Sequence, residues 1–140
     1  MSSKRLAIIG TVVLACQGDV WRASQRASLA IERLCPDVVI SGGAPGCDDL
    51  AENCARALGY REENGTLIIH RPRVRRWGGE GGYRWRDEII AADCTHLLRM
   101  ACRQSRTYGS GWTADRAEQL GAVVVRYVVC REAQTVVTTG

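Results

Sequence analysis

At 140 residues, 46% of them hydrophobic, the chain is long enough to bury one core and too short for two, so a single domain over residues 1–140 is expected. No run approaches the roughly 20 apolar residues that a bilayer span needs, and the first apolar run is short and broken by Gly10 and Thr11, unlike a secretory signal. A soluble, cytoplasmic protein without a membrane partner is expected. The net charge is only +4, but six arginines between Arg71 and Arg86 oppose the single acid Glu80, which leaves the rest of the chain near −1.

Apolar runs and amphipathic stretches alternate along the chain. Residues 6–9 read as a short buried strand, and residues 12–18 as either its extension or an irregular loop. Val20, Ala23, Ala27, Ile31 and Leu34 recur at helical spacing behind an Asp19 cap and ahead of Pro36. The β-branched run 38–40 lacks alternation, as in a strand covered on both faces, and residues 48–58 form a helix stopped by Gly59. A third strand falls at 67–69. After Gly78, Gly79, Gly81 and Gly82 come a helix over 83–92, a strand over 95–100, a helix over 113–120 ended by Gly121, and a strand over 122–129. The tail 131–140 reads as an added edge strand or as disorder. Five strands alternating with four helices imply a three-layer α/β domain with a parallel sheet.

Seven cysteines, with no Cys-x-x-Cys pair and no Cys/His spacing for zinc, read as reduced and buried. Cys47, near a helix start, is the one placed for a reactive thiolate. His70 and His96 read as structural, and neither a metal nor a cofactor is expected.

Two stretches carry the functional signal. In SGGAPGCDD a glycine-rich turn leaves a buried strand and enters a helix, exposing backbone N–H groups at the positive end of the helix dipole. Gly42, Gly43 and Gly46 let the chain turn and let a phosphate approach the backbone; the plainer reading is a tight turn with Asp48 and Asp49 as dipole partners. In GSGWTADRAEQLG, small residues again lie between a strand and a helix, and Ser110 and Thr113 offer hydroxyls to a phosphate or to the helix end. A Walker loop is excluded, because Lys4 is the only lysine. The segment RPRVRRWGGEGGYRWR mixes charge with Trp77, Tyr83 and Trp85, a composition suited to single-stranded nucleic acid, to a lid over a phosphorylated ligand, or to a solvated loop.

SGGAPGCDDLAENCARALG resembles the SGGAxGxDxxAHxxAL element of the DNA-processing protein A (Smf) family, and GSGWTADRAEQLG resembles its SGSxxTAxxAxExG element. Both belong to the Rossmann-like SLOG superfamily, which also holds cytokinin-activating phosphoribohydrolases. Arg84-Trp85-Arg86-Asp87-Glu88-Ile89 is similar to the superfamily's RNRxI element, with Arg86 at the arginine and Asp87 in place of asparagine. The resemblance spans residues 5 to 129 and implies strand order 3-2-1-4-5, which brings both glycine-rich stretches beside Gly10 and Thr11 at the carboxyl edge of the sheet.

The ligand-binding set so implied is Gly10, Thr11, Ser41, Gly42, Gly43, Ala44, Gly46, Cys47, Asp48, Arg84, Arg86, Gly109, Ser110, Gly111 and Thr113, with Asp48 best placed for a ribose hydroxyl. The partner expected is a nucleotide or nucleotide-derived phosphorylated small molecule, with single-stranded nucleic acid as the alternative, in a homodimer or larger homo-oligomer. The phosphoribohydrolase PGGxGTxxE motif is absent, and Asp115 or Arg116 stands where its glutamate would be. Asp115 and Arg86 are the candidates for catalysis in a nucleoside-monophosphate N-glycosidase, and binding without turnover is the expectation.

Overall fold

A computed structural model describes residues 3–11, 17–101 and 108–129. The segment 12–16, Cys102, Cys130 and the tail, for which expectations were stated above, lie outside the described residues. Strands β1 (Arg5–Gly10), β2 (Val38–Ser41), β3 (Leu67–Ile69), β4 (His96–Ala101) and β5 (Val123–Val128) alternate with helices α1 (Gln17–Leu34), α2 (Cys47–Ala57), α3 (Tyr83–Asp93) and α4 (Tyr108–Gln119). All pairings are parallel and the order is β3-β2-β1-β4-β5, as the resemblance implied.

The two-residue period of a strand divides the core. Leu6 and Ile8 of β1, with Val39, Leu98 and Met100, pack beneath Ala23, Ala27 and Ile31 of α1 and Ala51 and Ala55 of α2. Ala7 and Ile9, with Val38, Ile40 and Leu97, meet Ile90 and Ala91 of α3 and Ala114 and Ala117 of α4 on the other face. Ile8 and Ile40 are fully buried, and each such side chain contributes about 1.5–3 kcal/mol. Alanines facing the sheet let the helices approach closely. Among the described residues no helix is long and apolar enough to cross a membrane.

Helix ends follow local chemistry with two corrections, and one strand starts late. Gly59 (φ +97°) and Gly121 (φ +99°) terminate α2 and α4 in the left-handed region, as expected. Asp19 does not cap α1: the helix begins at Gln17, and the carboxylate lies inside the first turn, fully buried and paired with Arg22. His96 begins β4, one residue later than expected, because Thr95 is used instead to tie strand to strand, its hydroxyl accepting from Arg5 N at 2.8 Å. The largest shift is at α4, which starts at Tyr108, five residues before the expected Thr113. Thr113 Oγ1 donates to the Gly109 carbonyl one turn back at 2.7 Å and so acts inside the helix, not as its cap. The histidines hold structural contacts: His70 Nε2 is 3.0 Å from Asp93, and His96 Nδ1 is 2.8 Å from Thr95 Oγ1.

Candidate functional site

At the carboxyl edge of β1 the chain has no room for a side chain. A Cβ on Gly10 would stand 1.9 Å from the Met100 carbonyl oxygen and 2.8 Å from Cys47 Cβ. Thr11 extends the tie, its N–H donating to the Met100 carbonyl at 2.9 Å while its own carbonyl accepts from Cys47 N at 3.0 Å. Strands β1 and β4 and the start of α2 are thereby drawn together. Over them opens a cleft of about 860 Å³, lined by Gly10, Gly43, Ala44, Asp48, Arg86, Gly109, Ser110 and Thr113 among others.

The loop into α2 requires glycine at two positions, Gly43 (φ +72°) and Gly46 (φ +81°). Gly42 is needed for space, since a Cβ there would lie 2.7 Å from Asp48 Oδ2 and 2.9 Å from Arg86 Nη1. Several loop N–H groups already have partners within the chain. Gly43 N donates to Ser41 Oγ at 3.3 Å, and Ala44 N donates to Asp48 Oδ2 at 3.4 Å. Ser41 in turn donates to Glu52 Oε2 at 2.5 Å. The buried Asp48 carboxyl therefore takes one of the loop N–H groups that an anion would use.

Arg86, on the first turn of α3, crosses to this loop. It donates to the Gly42 carbonyl and, through Nε, to Asp87 Oδ1 at 2.5 Å, and its guanidinium lies over the Tyr83 ring at 5.7 Å. Burial pushes the Asp48 carboxyl up to about 7, with the Arg86 charge pulling the other way. Asp87 is also raised by burial, against the opposing effect of Arg86. The floor of the cleft thus holds a guanidinium with bonds to its own fold and a carboxyl poised to keep or lose a proton near neutrality.

On the α4 side, Ser110 Oγ accepts from Arg99 Nε at 2.9 Å. Gly109 and Gly111 lie within the first turn of the helix, and a Cβ on either would make only ordinary contact, at 3.4 Å to Asp87 and 3.5 Å to Arg99 respectively. Thr11, Ser41, Gly42 and Cys47 form the layer beneath the cleft. Cys47 is fully buried with Sγ donating to the Met100 carbonyl at 3.5 Å. Gly46 stands at the start of α2 beside the lining residues. Three expected residues stand outside the cleft: Gly111 faces Arg99, exposed Arg84 lies over the Trp112 ring, and Asp115 is exposed and ion-paired with Arg126 at 2.8 Å. Among the described residues no group of His, Cys, Asp and Glu converges on a metal position.

The roof residues were not in the expected ligand-binding set, although a lid over a phosphorylated ligand was one of the readings of their segment. Arg71, Arg73, Val74, Arg75, Trp77 and Tyr83 line the cleft from the arginine-rich segment. That segment is folded back on itself: Arg73 N and Val74 N both donate to the Gly81 carbonyl, Tyr83 N to Arg76 O, and Arg84 N to Trp77 O. Gly79 (φ +84°) and Gly81 (φ +83°) make the turns. The local charge excess in the sequence was the signal that pointed here.

No protein-family model matches the chain, and no curated protein matches it. Solved structures do. A molybdenum cofactor binding protein from the phototrophic bacterium Rippkaea orientalis superposes with a TM-score of 0.67 at 16% identity, covering 99% of this chain and 85% of that one. The molybdenum cofactor carrier protein of Chlamydomonas reinhardtii gives 0.64 at 16% identity, over 99% and 84%. DNA processing protein A from Helicobacter pylori, described for its single-stranded DNA binding mode, gives 0.54 at 14% identity, over 98% and 81%. At these identities the likeness is one of fold, and it includes the protein type whose motifs the sequence resembles.

Proposed function

We propose that the protein binds a nucleotide or nucleotide-derived phosphorylated small molecule in the carboxyl-edge cleft and holds it without cleaving it. The observation that carries this reading is the convergence of Arg71, Arg73, Arg75 and Arg86 on one cavity of about 860 Å³ above a glycine loop. The volume falls within the roughly 300–1,000 Å³ of small-molecule sites, and guanidinium groups suit phosphate oxygens through paired hydrogen bonds. Arg75 is free to do so, with no hydrogen bond or ion pair to a described residue. Two of the similar folds belong to proteins named for binding or carrying a cofactor, which supports holding over turnover. The proposal extends to a cytoplasmic homodimer or larger homo-oligomer.

The test is titration calorimetry with nucleoside mono- and diphosphates, alongside native mass spectrometry for a co-purifying ligand. Binding in the micromolar range is expected, weakened about tenfold by Arg75→Ala through loss of a charge-assisted contact. Failure of every phosphorylated nucleotide to bind would remove the reading.

A second reading, an N-glycosidase, draws on Asp48, whose carboxyl titrates near 7 inside the cleft where a general acid or base would be useful. Release of free base from a nucleoside monophosphate, lost in Asp48→Asn, would favour it. A single-stranded nucleic-acid partner would show a log–log salt slope of about 0.7 per phosphate contact, and a flat response would reject it.

A further inference from the structure

The arginines and aromatics of the roof are sorted by position. Arg73 is engaged by stacking over the Trp85 ring at 5.0 Å, and Arg84 by stacking over Trp112 at 5.7 Å. Trp112 meets Trp77 edge to face, with centroids 5.7 Å apart and planes at 87°. Trp77 is further held by its carbonyl, which accepts from Arg84 N at 2.9 Å, and its six-membered ring reaches to 4.0 Å of the position a Cβ on Gly109 would take. It is thus fixed at the α4 end of the cleft, yet it remains 40% exposed. At the other end, Arg71 lies against Gly43, its Cγ 3.1 Å from the position of a Cβ there.

A large aromatic ring anchored on one side and left open on the cleft exposes apolar surface that the described residues do not cover. A flat ligand ring would remove that surface from water, and an aromatic pair adds to the gain. We propose that Trp77 is the stacking face for the ligand's heteroaromatic ring, which lies at the α4 end while the anionic groups lie at the α2 end near Arg71 and Arg75. The ligand class is then a phosphorylated heteroaromatic compound and not a simple sugar phosphate. This inference rests on the phosphorylated-ligand reading above and adds the determinant of its other half.

The experiment compares adenosine, guanosine, cytidine and uridine 5′-monophosphates with ribose 5-phosphate on the wild type, Trp77→Ala and Trp77→Phe. At least one nucleotide is expected to bind the wild type tenfold or more tighter than ribose 5-phosphate, the order of magnitude of base stacking on an aromatic side chain. Trp77→Ala should bring that ratio to within about threefold of one, and Trp77→Phe should keep most of it. Nucleotide binding should also quench wild-type tryptophan fluorescence, and Trp77→Phe should lose that quench although three other tryptophans remain. A wild-type ratio near one, a ratio that persists in Trp77→Ala, or a quench that survives in Trp77→Phe would each overturn the assignment. If ribose 5-phosphate binds as well as every nucleotide, the phosphate reading stands and Trp77 is excluded. If nothing binds, the cleft reading fails first. Should Trp77→Ala not fold, the wild-type ratio and the Trp77→Phe quench still decide.

Discussion

The starts of α2 and α4 look alike in sequence and differ in structure. Before α2, Gly43 and Gly46 adopt positive φ, and Gly42 has no space for a methyl group. At α4, Gly109 and Gly111 are ordinary helical residues with room for a Cβ. The first start is a loop shaped around a buried carboxyl and a buried guanidinium, whereas the second is a helix turn whose glycines only lower its propensity. Composition rich in Gly and Ser therefore signals close approach at one end of the cleft and nothing comparable at the other.

Substitutions should separate the two ends sharply. Gly10→Ala, at the α2 end, forces the Met100 carbonyl away from β1 and is expected to cost about 3 kcal/mol or more, read as a fall in denaturant midpoint at constant slope. Asp48→Asn should stabilise the protein by on the order of 4 kcal/mol above pH 7. The folded carboxyl titrates at about 7 against an ordinary 3.8, so the native state holds the extra proton between those values and wild-type stability falls as pH rises through that window. Below pH 4 the variant and the wild type should converge. The groups that face this carboxyl are Arg86 and Asp87 of α3 and Glu52 of its own helix. Stability curves of equal shape for the two proteins from pH 4 to 8 would remove the assignment.

Smaller effects of opposite sign are expected next. Gly46→Ala should cost about 1–3 kcal/mol for its backbone conformation, while Gly111→Ala should be neutral or stabilising by up to about 1 kcal/mol. Thermal melts of the pair would break the comparison if both lost stability equally. Asp115→Asn removes only an exposed ion pair with Arg126 and should change stability by less than about 0.5 kcal/mol. It should leave nucleotide affinity unaltered, because the side chain lies outside the cleft.

The alternation of strand and helix was legible because each element repeats a local rule. The unbroken β-branched run 38–40 marked the buried strand β2, alanines at helical spacing marked the helix faces, and Gly59 and Gly121 marked two helix ends. The start of α4 was not legible, since glycine and serine weaken a helix without forbidding it and packing of Ala114 and Ala117 against the sheet overrides their propensity. Within the site, the loop motif pointed to Gly43, Ala44 and Asp48, but it did not distinguish an open anion site from one already shared with the Asp48 carboxyl. Arg86 was found by motif resemblance, whereas its bond to the Gly42 carbonyl depends on how closely α3 approaches the loop before α2.

By itself, the sequence determined the parallel α/β architecture, the glycine positions where the backbone turns, and the concentration of positive charge in residues 71–86, because periodicity, backbone freedom and net charge are properties of short segments. Tertiary structure decided that this charge roofs the cleft, that Trp77 faces into it, that Arg84, Gly111 and Asp115 do not, and that Asp48 is buried beside Arg86. Those outcomes depend on distances between segments far apart in the chain and on the loss of water around them, and neither is encoded in any local pattern.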